Sequence, residues 1–157
     1  MVKERRTVTE DEDPHSAVLF RVPTFMIRRA HQIATAVFMQ ACRELDLTPS
    51  QYAALFALRH GGAFSQNRLG RVVALDRCTT SIVVRTLTER ELIRRTADEH
   101  DQRKVVLRLT DAGRLLLARA ERISGRASRE MLGVLSESQA QTFVDLLERF
   151  TRAHAGS

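Results

Sequence analysis

Arginine dominates the polar chemistry of this chain, and its placement favours contact with a polyanion over catalysis. The 157 residues include 23 Arg and 2 Lys and carry a net charge of +6. Between Arg59 and Arg108, ten Arg and one Lys face six acids, so most of the excess lies in that segment. A guanidinium presents a planar fork of donors that matches phosphate or the edge of guanine. Arg77, Ser81 and Arg85 share one face of a helical pattern, with Thr79 and Ile82 at its flanks. Short hydroxyls bracketed by arginines, near the start of a helix, suit close approach to bases. Gln66 and Arg68 open the preceding helical segment and are candidates for positioning phosphates. Further on, Asp101-Gln-Arg103-Lys104 forms a charged turn. There Asp101 can accept hydrogen bonds from the Arg103 guanidinium and hold it ready for a narrow minor groove.

Other chemistry finds no footing. The five histidines are scattered and form no metal-ligand spacing with Cys, Asp or Glu. There is no glycine-rich phosphate loop and no nucleophile elbow. The expectation is a protein that is not an enzyme, with no metal and no cofactor. Two cysteines, Cys42 and Cys78, are too few for a disulfide scaffold. Cys78 stands at a helix start, where the dipole lowers a thiol pKa, so a redox switch is an alternative to its structural reading. With no signal peptide and no apolar run approaching the ~20 residues of a membrane span, the expected location is cytoplasmic, on the nucleoid when bound to DNA.

These residues need elements to hold them. The periodicity predicts a polar, flexible arm over 1–15, then a long amphipathic helix from Ser16 to Leu45, interrupted at Pro23. Thr48-Pro49-Ser50-Gln51 is a capping box with proline at the first helical position, opening a second helix that stops at Gly61-Gly62. Ser65 caps a third, to Val73, and Asp76 a fourth, to Arg90. In the fourth, Thr80, Val83, Val84 and Leu87 form the inward face. The third and fourth have helix-turn-helix spacing. Leu92–Thr96 and Val105–Leu109 read as two strands, with Val105, Leu107 and Leu109 on one face. Thr110 opens a fifth helix to Val134, and Ser136 a sixth to His154. The fold class is mainly α with a small β-wing, a winged helix-turn-helix in the order ααααββαα.

The residues from Phe25 to Leu117 resemble the MarR family of transcriptional regulators. The wing signature, Asp-x-Arg followed after five residues by Leu-Thr, is met by Asp101, Arg103, Leu109 and Thr110. Leu75-Asp76-Arg77-Cys78-Thr79-Thr80 resembles the start of that family's recognition helix. Arg28-Arg29-Ala30-His31-Gln32, with Leu47-Thr48-Pro49-Ser50-Gln51-Tyr52, resembles a subgroup that responds to small aromatic acids. Glu91 departs from the family's usual glycine, so its turn must avoid a left-handed conformation or bear a modest strain.

The resemblance implies an obligate homodimer bound to double-stranded DNA. Segments 16–47 and 111–157 would be dimerisation helices, and 48–110 the DNA-binding lobe. Helix five supplies Leu115, Leu116, Leu117, Ala120 and Ile123 to that frame, and helix six supplies Phe143, Leu146, Leu147 and Phe150. It further implies a repressor released by a small anionic aromatic effector, in a cleft lined by Arg29, His31, Gln51 and Tyr52. The competing non-enzyme reading is a winged helix used for protein or RNA contact, which the arginines on the fourth helix argue against.

Overall fold

The computed structural model describes residues 18–99 and 101–154. The expected arm over 1–15, the first residues of the expected first helix, and His100 lie outside them. The chain divides into two units, residues 1–35 and 36–157.

In the first unit Val18 and Leu19 are helical, the chain turns at Phe20 and Arg21, and helix α1 runs over Pro23–Ala41. The expected helix from Ser16 to Leu45 ends earlier, at Ala41. The expected interruption lies just ahead of Pro23, which restarts the helix, because a residue lacking N–H is best placed in the first turn, where that donor has no helical acceptor. Phe20 packs its edge on Phe25, with ring centroids 5.7 Å apart.

In the second unit α1 ends at Ala41, and the chain tightens into a 3-10 turn, Arg43–Leu45. Asp46 then adopts a left-handed φ of 47°. The Arg90 side chain closes this end, donating to the carbonyls of Asp46 and, at 3.1 Å, Leu45. There follow α2, Pro49–Gly61; α3, Gln66–Val72; α4, Arg77–Glu89; β1, Ile93–Ala97; β2, Val105–Leu109; α5, Asp111–Leu132; and α6, Glu137–Ala153. The element order matches the sequence pattern. Thr48, Ser65, Asp76, Thr110 and Ser136 cap their helices as expected, and Thr48 and Ser136 complete capping boxes with Gln51 and Gln139.

The core gathers Leu55 and Leu58 from α2, Leu69 from α3, Val84 and Leu87 from α4, Ile93 and Leu107 from the strands and Leu117 from α5. Each such side chain contributes about 1.5–3 kcal/mol by leaving water. The strands pair antiparallel from Ile93↔Leu109 to Ala97↔Val105, and Phe64 adds a bridge to Leu107. The expected alternation holds at Leu107 and Leu109 but not nearer the tip. Val105 is exposed, because the ribbon has left the core there, and Val106 on the other face is buried instead.

Two tight turns position the fourth helix. Ala74 takes φ 54° between α3 and α4, and Glu91 takes φ 56° after α4, so Glu91 bears the strain that a glycine would avoid. The Thr110 hydroxyl reaches the carbonyl of Glu91 at 2.7 Å and that of Leu92 at 3.1 Å, and its oxygen accepts Gly113 N–H at 3.0 Å. A Cβ on Gly113 would lie 2.0 Å from the Leu92 carbonyl oxygen. The start of α5 thus locks directly onto the turn that ends α4. Among the described residues no helix is long and apolar enough to cross a membrane.

Candidate nucleic-acid interface

Helix α4 has two chemically opposite faces. Thr80, Val83, Val84 and Leu87 are buried, while Arg77, Ser81, Ile82 and Arg85 are exposed and Thr79 is half-buried. The period of 3.6 residues produces this division, since positions 80, 83, 84 and 87 fall on one stripe. Asp76 holds the helix start: its carboxylate accepts the Thr79 hydroxyl at 2.5 Å and the Thr79 backbone N–H at 2.9 Å. Those bonds, the hydroxyl first, keep the Asp76 carboxyl below its ordinary range. Thr79 therefore gives its hydroxyl proton to the cap and keeps only acceptor capacity for an outside partner. Arg77 has no ion-pair partner among the described residues, and Arg85 lies 3.9 Å from Glu89 in an exposed pair of little strength.

Ser81 donates to the Arg77 carbonyl at 3.0 Å and receives the Gln66 amide at 2.9 Å. The same Gln66 side chain accepts from Arg95 of β1 at 3.0 Å. Gln66, expected as a phosphate contact, thus bridges α3, α4 and the ribbon. Arg95 escaped the sequence reading because its partner is 29 residues away. Arg68 stands over the Phe64 ring, 4.7 Å from its centroid. Asn67 and Arg71, also unforeseen, join Arg77 in lining a cavity of about 320 Å³ between α3 and α4. Their i, i+4 spacing on a helix was the available signal.

The ribbon tip is ordered by its own backbone. Asp98 N–H bonds Lys104 O at 2.8 Å, and Lys104 N–H bonds Asp101 O at 2.9 Å. The expected Asp101 brace takes a different form. Its carboxylate accepts the Arg103 backbone N–H at 3.1 Å and pairs with the Lys104 ammonium at 3.2 Å, rather than gripping the guanidinium. An aspartate bonding the N–H two residues ahead is the ordinary Asx-turn geometry, and it leaves the longer side chain outside the ring. Arg103 is exposed, with no side-chain partner among the described residues.

The four candidate effector residues are placed less uniformly. Arg29 and His31 are exposed on α1, with the Arg29 guanidinium 5.8 Å from the Phe20 ring centroid. Gln51 uses its side-chain oxygen on the Thr48 N–H, at 3.1 Å. Tyr52 packs between Phe38 and Phe56, with centroids 5.2 and 5.9 Å away. It also lines an apolar cavity of about 630 Å³ with Phe56, His60, Phe64 and Val72. His60 stacks on Phe56 at 4.4 Å and was not foreseen. The spacing Tyr52, Phe56, His60, one turn apart on one face, carries the signal. Cys42 is buried, which pushes its thiol pKa up, whereas Cys78 is exposed; both are free thiols. No group of three metal-ligating side chains occurs among the described residues.

Comparison with known proteins agrees with this geometry. The MarR family model matches residues 45–104. The HTH-type transcriptional repressor NicR of Pseudomonas putida is 33% identical over 79% of this chain and 78% of its own length. A probable transcriptional regulator of Pseudomonas aeruginosa superposes with a TM-score of 0.77 at 36% identity, over 84% of this chain and 98% of the other. BpsR of Bordetella bronchiseptica, whose DNA binding is regulated by 6-hydroxynicotinic acid, superposes with a TM-score of 0.77 at 30% identity, over 84% and 94%.

Proposed function

Because this chain belongs to the MarR family of DNA-binding transcriptional regulators, we propose that it is a repressor that binds a pseudo-palindromic operator as a homodimer and leaves it when a small aromatic acid binds. The observation that carries the DNA reading is the outward face of α4. Arg77, Ser81, Ile82 and Arg85 are held in solvent by a helix whose other face is fully engaged in the core. Arg77 and Arg85 address guanine edges or phosphate, while Thr79 and Ser81, whose hydroxyl protons go to Asp76 and the Arg77 carbonyl, accept at close range. Gln66, through Ser81 and Arg95, sets the angle between helix and ribbon, and Arg68 meets the backbone. Asp101 shapes the tip from which Arg103 enters the minor groove and Lys104 meets a phosphate. Two copies related by a two-fold axis place half-sites about 10 base pairs apart.

The dimer reading rests on apolar surface that the chain leaves uncovered. Leu115, Phe143, Leu146, Leu147 and Phe150 are all exposed, as are Met26, Ile27 and Ile33 on α1. The effector reading rests on the cavity beside Tyr52, an aromatic slot with His60 as a polar group. It draws also on the likeness to BpsR, which responds to a hydroxylated pyridine carboxylate. Gln51 offers the acid its remaining amide donors, and Arg29 and His31 remain the candidates for charge and a donor that the sequence resemblance implies.

Fluorescence anisotropy with the palindromes flanking the gene tests both halves. The expected result is saturable binding to one palindrome, a steep fall with salt, and release by 6-hydroxynicotinate or a hydroxybenzoate. Equal affinity for every duplex would defeat the repressor reading. Failure of all aromatic acids to weaken binding would defeat the effector reading alone.

A further inference from the structure

A second cavity, of about 290 Å³, lies against a different face of α2 from the apolar slot. It is lined by Arg59 of α2, Arg94 of β1, Arg108 of β2 and Arg114 of α5, with Leu58 and Leu109 beside them. Folding stability gives no reason for Arg94 to join them. Arg94 and Arg108 are direct cross-strand partners, and like charges facing each other across a ribbon destabilise it.

Three of the four arginines are held by acids that do not line the cavity. Arg59 meets Glu121, Arg108 meets Glu99 and Arg114 meets Asp111, each at 2.6 Å. Arg94 has no such partner among the described residues, so the cluster carries one positive charge in excess. Arg114 is occupied on Asp111 and on the Leu109 carbonyl, and contributes charge. Arg59 and Arg108 each use a single terminal nitrogen, which leaves the rest of their forks open. Three forks, from three different elements, therefore face one small space.

We propose that this cavity is a binding site for the phosphate monoester of a small metabolite, separate from the aromatic-acid cleft and independent of it. A carboxylate has two oxygens in one plane and satisfies two forks at most in good geometry. A phosphate monoester has three terminal oxygens, one for each open fork, and its negative charge falls on a cluster with a positive surplus. The phosphate backbone of DNA is the other source of such oxygens, but the ribbon register speaks against it. The Arg94–Arg108 rung is next to the base pair Ile93–Leu109 and far from the tip pair Ala97–Val105. It occupies the sheet face opposite Arg95, the residue that reaches towards Gln66 and the reading helix. A phosphate held here ties α2, both strands and the start of α5 together at the root of the wing.

The test is thermal denaturation of the full chain with inorganic phosphate or acetate at constant ionic strength, together with operator binding in acetate buffer. The expected result is a saturable rise in Tm with phosphate and none with acetate. Arg94→Gln, a change at an exposed and unpaired side chain, raises the apparent phosphate Kd by about tenfold or more. Arg77→Ala, on the reading helix, keeps the phosphate response. Operator affinity of Arg94→Gln in acetate stays within about threefold of wild type. The proposal is overturned if phosphate acts no differently from acetate, or if Arg94→Gln responds as wild type does. A larger loss of operator affinity in Arg94→Gln also overturns it, because the pocket would then serve DNA phosphates.

Discussion

The lobe over residues 48–110 and the last helix have similar apolar patterns and opposite fates. In the lobe, Leu55, Leu69, Val84, Leu87, Ile93 and Leu107 are all at or below 1% exposure, so a single chain completes that core. Helix α6 carries Phe143, Leu146, Leu147 and Phe150 on one stripe and buries no residue. Periodicity marks a face as one that must be covered, but says nothing about which surface covers it. The lobe is sealed by its own elements. The stripe on α6 is answered, in the reading proposed above, by a second copy.

The largest expected effect follows from that contrast. Leu147→Glu with Phe150→Glu should convert the protein to a monomer by sedimentation and weaken operator binding by about 100-fold or more, since the two half-sites lose their linkage. A dimer that survives both charges would place the interface elsewhere. Next comes a probe of how tightly the lobe is closed. Gly113→Ala drives a Cβ to 2.0 Å from the Leu92 carbonyl. It should cost about 3 kcal/mol in urea titrations, the upper end of ordinary overpacking. A loss below about 1 kcal/mol would mean that the α4–α5 joint relaxes freely.

A smaller and purely functional change is Arg103→Ala at the ribbon tip. Because its side chain holds nothing in the fold, Tm should be unchanged while operator affinity falls about tenfold. Unaltered anisotropy titrations would remove the wing from the DNA contact. The smallest effect concerns Asp76. Hydrogen bonds from Thr79 hold its folded carboxyl below the ordinary value of 3.8. Its charge therefore stabilises the fold above that ordinary value, and the benefit disappears as pH falls through the lower folded value. Wild type should melt slightly above Asp76→Asn at neutral pH, with the gap closing in strong acid. A gap that persists at low pH would show that the charge is not the stabilising feature.

Local features were legible in the sequence for a physical reason. A helix cap bonds an N–H three residues ahead, so Thr48, Ser65, Asp76, Thr110 and Ser136 announce their helices within a four-residue window. The inward face of α4 was equally readable, because 3.6-residue periodicity sorts side chains without knowledge of the neighbour. The absence of glycine at Glu91 posed a choice between strain and another turn, and its left-handed φ of 56° decided it. Where long side chains choose among several partners, the pattern was silent. Asp101 prefers a backbone N–H and Lys104 to the Arg103 guanidinium. Arg90, at the foot of α4, turns back to carbonyls 44 and 45 residues earlier.

Residue order was thus enough to establish the element sequence, the helix starts, the buried face of α4 and the concentration of arginine around it. Those depend on interactions spanning a few residues, whose geometry the backbone dictates. Three-dimensional packing settled which polar groups meet. It set Gln66 between Ser81 and Arg95, and it placed His60 in an aromatic slot. It also brought Arg59, Arg94, Arg108 and Arg114 around one cavity. Such meetings join side chains from separate elements, and a flexible guanidinium can satisfy many partners. Only the closure of the chain around its core selects among them.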